Sequence, residues 1–205
     1  MADIFDSLRL GGPAMLVLLL LSVAALTLII VKFWEFWELR IWQRDFVARA
    51  LASWHAGNAD QALSQLQAQA TPLSRVMAAA IRGCSNKALA DAQVREQVTQ
   101  LASEELESAR RLLRPLEVIA NLAPLLGLLG TVLGMIQVFQ RLQAAGNQVN
   151  PAILSGGLWE ALLTTAAGLS VAILALAGFH TLDRAVERLH QDMESALTRL
   201  FTTPF

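Results

Sequence analysis

Three stretches of this chain contain no Asp, Glu, Lys or Arg: Leu10 to Val31, Val118 to Gln140 and Ala161 to Leu182. Each exceeds the roughly 18–20 apolar residues that carry a helix across a bilayer core. In lipid a helix satisfies its own backbone hydrogen bonds, which a lone strand cannot do. The stretches therefore predict an all-α membrane protein with three transmembrane helices. Only 16% of the residues are charged, against about a quarter in a soluble domain, and the shortfall lies in these stretches. The residues before the first one include Asp3, Asp6 and Arg9, a net negative set. A cleaved signal peptide has a basic start and a shorter apolar region, so the first stretch is expected to be a retained helix.

Basic residues set the expected orientation. Glu35 to Pro115 holds ten Lys or Arg and the tail after Leu182 holds three, whereas the first tail and the second connector offer only Arg9 and Arg141. Positive residues remain on the cytoplasmic side. The expected layout is a periplasmic tail and first span over 1–34, a cytoplasmic helical region over 35–115, a second span over 116–140, a periplasmic loop over 141–150, a third span over 151–181 and a cytoplasmic helix over 182–205. The inner end of the first span is aromatic, with Phe33, Trp34, Phe36, Trp37 and Trp42 among Lys32, Glu35 and Arg40, as expected at the headgroup level.

The cytoplasmic region reads as several helices. Gly57 and Asn58 end one, Thr71-Pro72 caps and starts another, and Gly83 to Lys87 reads as a loop. From about Leu89 the apolar residues Val94, Val98, Leu101, Leu106, Ala109, Leu112, Leu113 and Leu116 recur at three- and four-residue steps, the spacing of one helical stripe. This predicts a long helix running unbroken into the second span, kinked at Pro115 and Pro124. Leu182, Val186, Leu189, Met193, Leu197 and Leu200 form a similar stripe beyond the third span. Two of the spans are thus expected to extend into a cytoplasmic helical bundle, and apolar seams of this length favour an oligomer.

A net charge of −1 gives no footing for nucleic-acid binding. Cys84 is the only cysteine, which excludes an intrachain disulfide and a cysteine metal site; beside Gly83 it reads as a packing residue. His55, His180 and His190 are scattered. No nucleophile–base set, metal cluster, phosphate loop or cofactor motif is present, so no enzyme, cofactor or metal is expected.

Polar and small residues within the apolar runs point to function. The second span contains Gly127, Gly130, Thr131 and Gly134, at a spacing that lets helices approach closely in lipid. The third span opens at Asn150-Pro151, a cap and first-turn pair. Gly157, Glu160, Thr164 and Gly168 then share one face, with Thr165 beside it. Counted from Pro151, Glu160 lies about 13 Å along the helix at about 1.5 Å per residue. A charged carboxyl at mid-membrane costs on the order of 3 kcal/mol, and neither neighbouring span supplies a base. The group must be protonated, face water, or meet a partner from another chain. If the span instead starts at Ala161, Glu160 is an interfacial acid favoured by the helix dipole. Both readings stay open on pattern alone.

The segments Ala123 to Gly134 (APLLGLLGTVLG) and Glu160 to Ala175 (EALLTTAAGLSVAILA) resemble the ExbB/TolQ/MotA proton-channel family. So does the order of parts: one span, a large cytoplasmic region, two further spans and a helical tail. The Gly-Gly-Pro start is more similar to ExbB-type members than to TolQ. The resemblance implies a homopentamer around two copies of a single-span ExbD- or TolR-like protein, whose membrane aspartate this chain lacks. It implies a polar ion pathway of Glu160, Thr131 and Thr165, and helix packing at Gly127, Gly130, Gly134, Gly157 and Gly168. It also moves Glu160 toward the intramembrane reading. Leu174 stands where the ExbB/TolQ pattern has proline, so the bend of the third helix is expected to differ. The function implied is a subunit of a proton-driven inner-membrane motor serving TonB-dependent transport through a TonB-like protein. A TolQ-like envelope motor and a non-conducting scaffold are the alternatives, and the absence of a fourth span argues against a flagellar stator.

Overall fold

The computed structural model describes residues 12–39, 45–86, 90–145 and 151–202, and among them all regular structure is helical. The helices are α1 (Gly12–Glu38), α2 (Asp45–His55), α3 (Ala59–Gln67), α4 (Pro72–Ser85), α5 (Asp91–Arg110), α6 (Leu113–Ala145) and α7 (Pro151–Thr202). Three of them are long and apolar enough to cross a membrane: α1, α6 and α7. The expected all-α fold with three spans is borne out, and the chain is a multi-pass membrane protein. The N-terminal tail, Arg40, Trp42, the start near Leu89 and the Asn150 cap lie outside the described residues. The chain divides into two compact units, residues 1–31 with 113–180 and residues 32–112 with 181–205.

In the first unit, apolar side chains point outward as well as inward. Leu20, Leu125 and Ile173 are all more than 60% exposed, while Leu18, Ala123, Val138, Ala161 and Ala175 are buried. A soluble protein rarely leaves so much apolar surface uncovered; in a membrane chain this is the surface offered to lipid tails and other chains. Hydroxyls in the spans bond to their own backbone, Thr27 to the Val23 carbonyl at 2.8 Å and Ser170 to that of Ala166 at 2.8 Å. Neither hydroxyl is thereby left unpaired in the hydrocarbon. Ile29 of α1 lies directly against Gly178 of α7.

The second unit is built by local signals. Gly57, at φ 79°, takes the left-handed conformation that L side chains avoid and turns the chain after α2. Thr71 caps α4, its hydroxyl accepting from the Ser74 amide at 3.1 Å, with Pro72 in the first turn. Two sequence expectations are corrected. Gly83 and Cys84 are helical, because α4 runs on to Ser85; a Cβ on Gly83 would lie 2.5 Å from Val94 Cγ1, so the glycine is where α5 packs closest. Nor does one helix run unbroken into the second span: α5 ends at Arg110, Arg111 and Leu112 form a turn, and α6 starts at Leu113. Pro115 then falls in the first turn of α6, where its missing N–H costs no intrahelical bond. Pro124 remains inside α6.

The α5 stripe buries Val94, Val98, Ala102 and Ala109, and the α7 tail buries Leu182, Val186, Leu189, Met193 and Leu200. Arg110 pairs with Glu187 at 3.3 Å, and the Arg95 guanidinium lies 4.3 Å from the Phe201 ring centroid, so α5 and the tail run antiparallel. Arg75 of α4 grips Glu105 of α5 with Nε donating to Oε1 at 2.7 Å and a second bond beside it. Lys32 is 1% exposed. Its ammonium donates to both Glu35 carboxylate oxygens at 2.9 and 3.0 Å and lies 5.1 Å from the Phe36 ring centroid. Such pairing is what a buried cation requires.

Burial pushes the Cys84 thiol up from its ordinary value, with Asp91 adding to the shift and Arg95 opposing it. Thiolate, the reactive form, is therefore scarce at neutral pH. Alkylation of Cys84 by iodoacetamide is expected to be several-fold slower than that of a free thiol at pH 7 and to keep rising above pH 9. A rate that levels off below pH 8 would contradict this.

Candidate ion-pathway site

Small residues bring the α6 and α7 backbones together. A Cβ on Gly168 would lie 2.6 Å from the Ala123 carbonyl oxygen and 2.9 Å from the Gly127 Cα. One on Gly127 would lie 3.1 Å from the Thr165 Cα, and one on Gly134 would lie 3.0 Å from the Ala161 Cβ. At Gly130 it would overlap the Thr164 methyl, and at Gly157 the Val138 side chain. Read along α6, the partners 168, 165, 164, 161 and 157 descend, which fixes an antiparallel register. The five glycines singled out in the sequence thus all sit on this seam.

Glu160 lies beside the seam, half-buried, on an open cavity of about 250 Å³ lined by all three spans. Pro13 and Ala14 of α1, Gly130, Leu133, Gly134 and Gln137 of α6, and Ala161 and Thr164 of α7 line it with Glu160. No described Lys, Arg or His makes a salt bridge to Glu160. The cavity therefore holds a carboxyl group, a carboxamide and little else that is polar. Among the described residues no group of His, Cys, Asp or Glu is placed to hold a metal ion.

Thr131 and Thr165 do not line this cavity. The Thr165 hydroxyl donates across the seam to the Gly127 carbonyl at 2.9 Å, an interhelical bond at the point of closest approach. The Thr131 hydroxyl donates to the Leu128 carbonyl at 2.6 Å within its own helix. Thr164, buried, donates to the Glu160 carbonyl at 3.0 Å and places its methyl against Gly130. Sequence reasoning missed Gln137 and gave Thr164 no role. The spacing of Thr164, four residues after Glu160, could have marked it, whereas Gln137 depends on the α6–α7 register, which no local pattern encodes.

This geometry separates two glycines on the same helix. Gly168→Val forces a side chain into the Ala123 backbone and is expected to cost about 1–3 kcal/mol, the range for overpacking. Gly156 has nothing within 4 Å of a Cβ, so Gly156→Ala should be neutral or stabilising by up to about 1 kcal/mol. Thermal unfolding of both variants in one mild detergent checks the contrast; equal effects would contradict the seam.

Known proteins can be set beside this arrangement. The chain is 35% identical over 182 residues to an ExbB-like biopolymer transport protein of Synechocystis, covering 87% of this chain and 70% of that one. It is 44% identical over 85 residues to the biopolymer transport protein exbB1 of Vibrio cholerae, covering 42% of this chain and 37% of the relative. The Tol-Pal system protein TolQ of Haemophilus influenzae is 34% identical over 101 residues, 49% of this chain and 43% of that one. Residues 68–195, which include α4 to α6, the seam and Glu160, match the MotA/TolQ/ExbB proton channel family, and the chain belongs to that family.

Proposed function

We propose that this chain is the pore-forming subunit of a proton-motive-force-driven inner-membrane motor that energises TonB-dependent outer-membrane transport. The observation that carries the reading is a carboxyl group, Glu160, that makes no salt bridge to any described residue and lies on a cavity lined by three membrane spans. A carboxyl so placed can gain a proton from one side and give it up to another acceptor. The acceptor would be the membrane aspartate of an ExbD- or TolR-like protein, two copies of which would sit within a ring of five chains. Thr131 and Thr165, which lie off this cavity, would contribute to the ion pathway elsewhere, on the surface that meets the partner. Each proton transfer changes the charge facing the partner and biases its rearrangement within the ring; a TonB-like protein would pass the force outward. The distribution of Lys and Arg supports a periplasmic N-terminus and a cytoplasmic C-terminus, with residues 35–115 and 182–205 as the cytoplasmic helical region. Similarity to the Haemophilus TolQ supports a second reading, a Tol-type envelope motor built on the same chemistry.

Glu160→Gln keeps the shape of the side chain and removes its titration. With partner subunits co-expressed, energy-dependent uptake through a TonB-type receptor should fall by roughly a hundredfold or more, the scale of losing a proton-transferring group. The five-chain complex should still assemble. Unchanged uptake would make Glu160 an interfacial cap; loss of assembly together with uptake would favour a scaffold.

A further inference from the structure

The Glu160 cavity raises the question of where water reaches it. In the α6–α7 register, Gly134 faces Ala161 and Val138 faces Gly157. Glu160 is therefore level with residues 134 to 138 of α6, and Gln137, which lines the cavity, stands at its height. Arg141 follows Gln137 by four residues, one helical turn of about 5.4 Å toward the end of α6. It is exposed. On α7, Gly157 packs on Val138, while Leu154, Ser155 and Gly156 beside it are exposed. Toward the other end of the seam, the backbones at Gly127 and Gly168 touch and Thr165 bonds across, leaving no room for water. The seam is closed by backbone contact at one end, while Gln137 and Glu160 put polar groups on the cavity toward the other.

We propose that the cavity is a hydrated vestibule within a single chain, opening past Gln137 and Arg141 at the C-terminal end of α6, through which Glu160 exchanges its proton with the aqueous phase. This deepens the motor reading above and rests on it for its purpose, though not for its geometry. Gln137 is a positioning residue, able to donate to and accept from water beside the carboxyl. Arg141 places a fixed positive charge near the mouth, which favours anions over cations among the solutes that enter.

The cysteine content makes this testable. Cys84 is the only cysteine, so Cys84→Ser with partner subunits present gives a background for single thiols. Gln137→Cys and Arg141→Cys are compared with Ile136→Cys and Phe139→Cys, exposed apolar positions on the same helix. Membrane-impermeant methanethiosulfonates, one cationic and one anionic, are the probes. Positions 137 and 141 should label at least about tenfold faster than 136 and 139. Adding Arg141→Gln to Gln137→Cys should raise the cationic-to-anionic rate ratio several-fold. Ala14→Leu, which fills the α1 side of the cavity, should slow labelling at 137 and leave 141 unchanged; Leu133→Phe fills the same space should that variant fail to accumulate. Labelling at 137 as slow as at 136 would overturn the vestibule, an unchanged rate ratio would remove Arg141 from its mouth, and no slowing by either filling variant would place the water outside the chain. Labelling needs no transport, so rapid modification of 137 alongside full uptake in Glu160→Gln would leave the vestibule standing and sink the motor reading.

Discussion

The contact on which the membrane unit depends is backbone against backbone where Gly127 meets Gly168. Lipid tails are as apolar as leucine, so burial of side chains gives spans little reason to associate. Dispersion at very short range must do the work instead, and it is strong only when no side chain intervenes. At this crossing it is joined by the Thr165 hydroxyl on the Gly127 carbonyl. The antiparallel register follows from that point, and so does the height of every residue along the two helices. Glu160 is placed on its cavity by a contact near Gly168, two turns farther along the same helix.

How much of this was legible depended on the range of each signal. The three spans could be read because freedom from charge over a membrane's thickness is a local property. The stripe Leu182–Leu200 and the cap at Thr71-Pro72 were legible for the same reason. The break at Arg111–Leu112 was not, because apolar spacing continued through it and the stop lies in how Pro115 is used. Gly83 was read as a loop since glycine usually ends helices; here it serves the approach of Val94 from another helix. At the site, the glycines and Glu160 stood out as unusual residues in unusual places. Gln137 did not, since a glutamine near the end of a span carries no meaning until the register sets it beside the acid.

The two units rely on different physics. In one, small residues and hydroxyls turned onto their own carbonyls let helices meet in hydrocarbon. In the other, apolar stripes bury against each other as in any water-soluble bundle, and ion pairs such as Arg75–Glu105 and Arg110–Glu187 fix which helices are neighbours. The long helix α7 serves both, its glycines lying before His180 and its buried leucines, with Met193, after it. One continuous helix thus changes packing code along its length, and its sequence shows the change as a switch from Gly and Thr to Leu at the seam positions.

The pair formed by Lys32 and Glu35 bears on how α1 can move. Its ammonium is enclosed and neutralised within one turn of its own helix, while Trp34 and Trp37 on that turn are largely exposed. Sliding α1 along its axis toward the hydrocarbon would drag a lysine and two interfacial indoles out of the depth that suits them, at about 2.5–3.5 kcal/mol for the lysine alone on insertion scales. Turning the helix about its axis would uncover Lys32 and Phe36 and lift Ile29 from Gly178. The first span is thus seated like a bolt with a shoulder, unable to act as a piston.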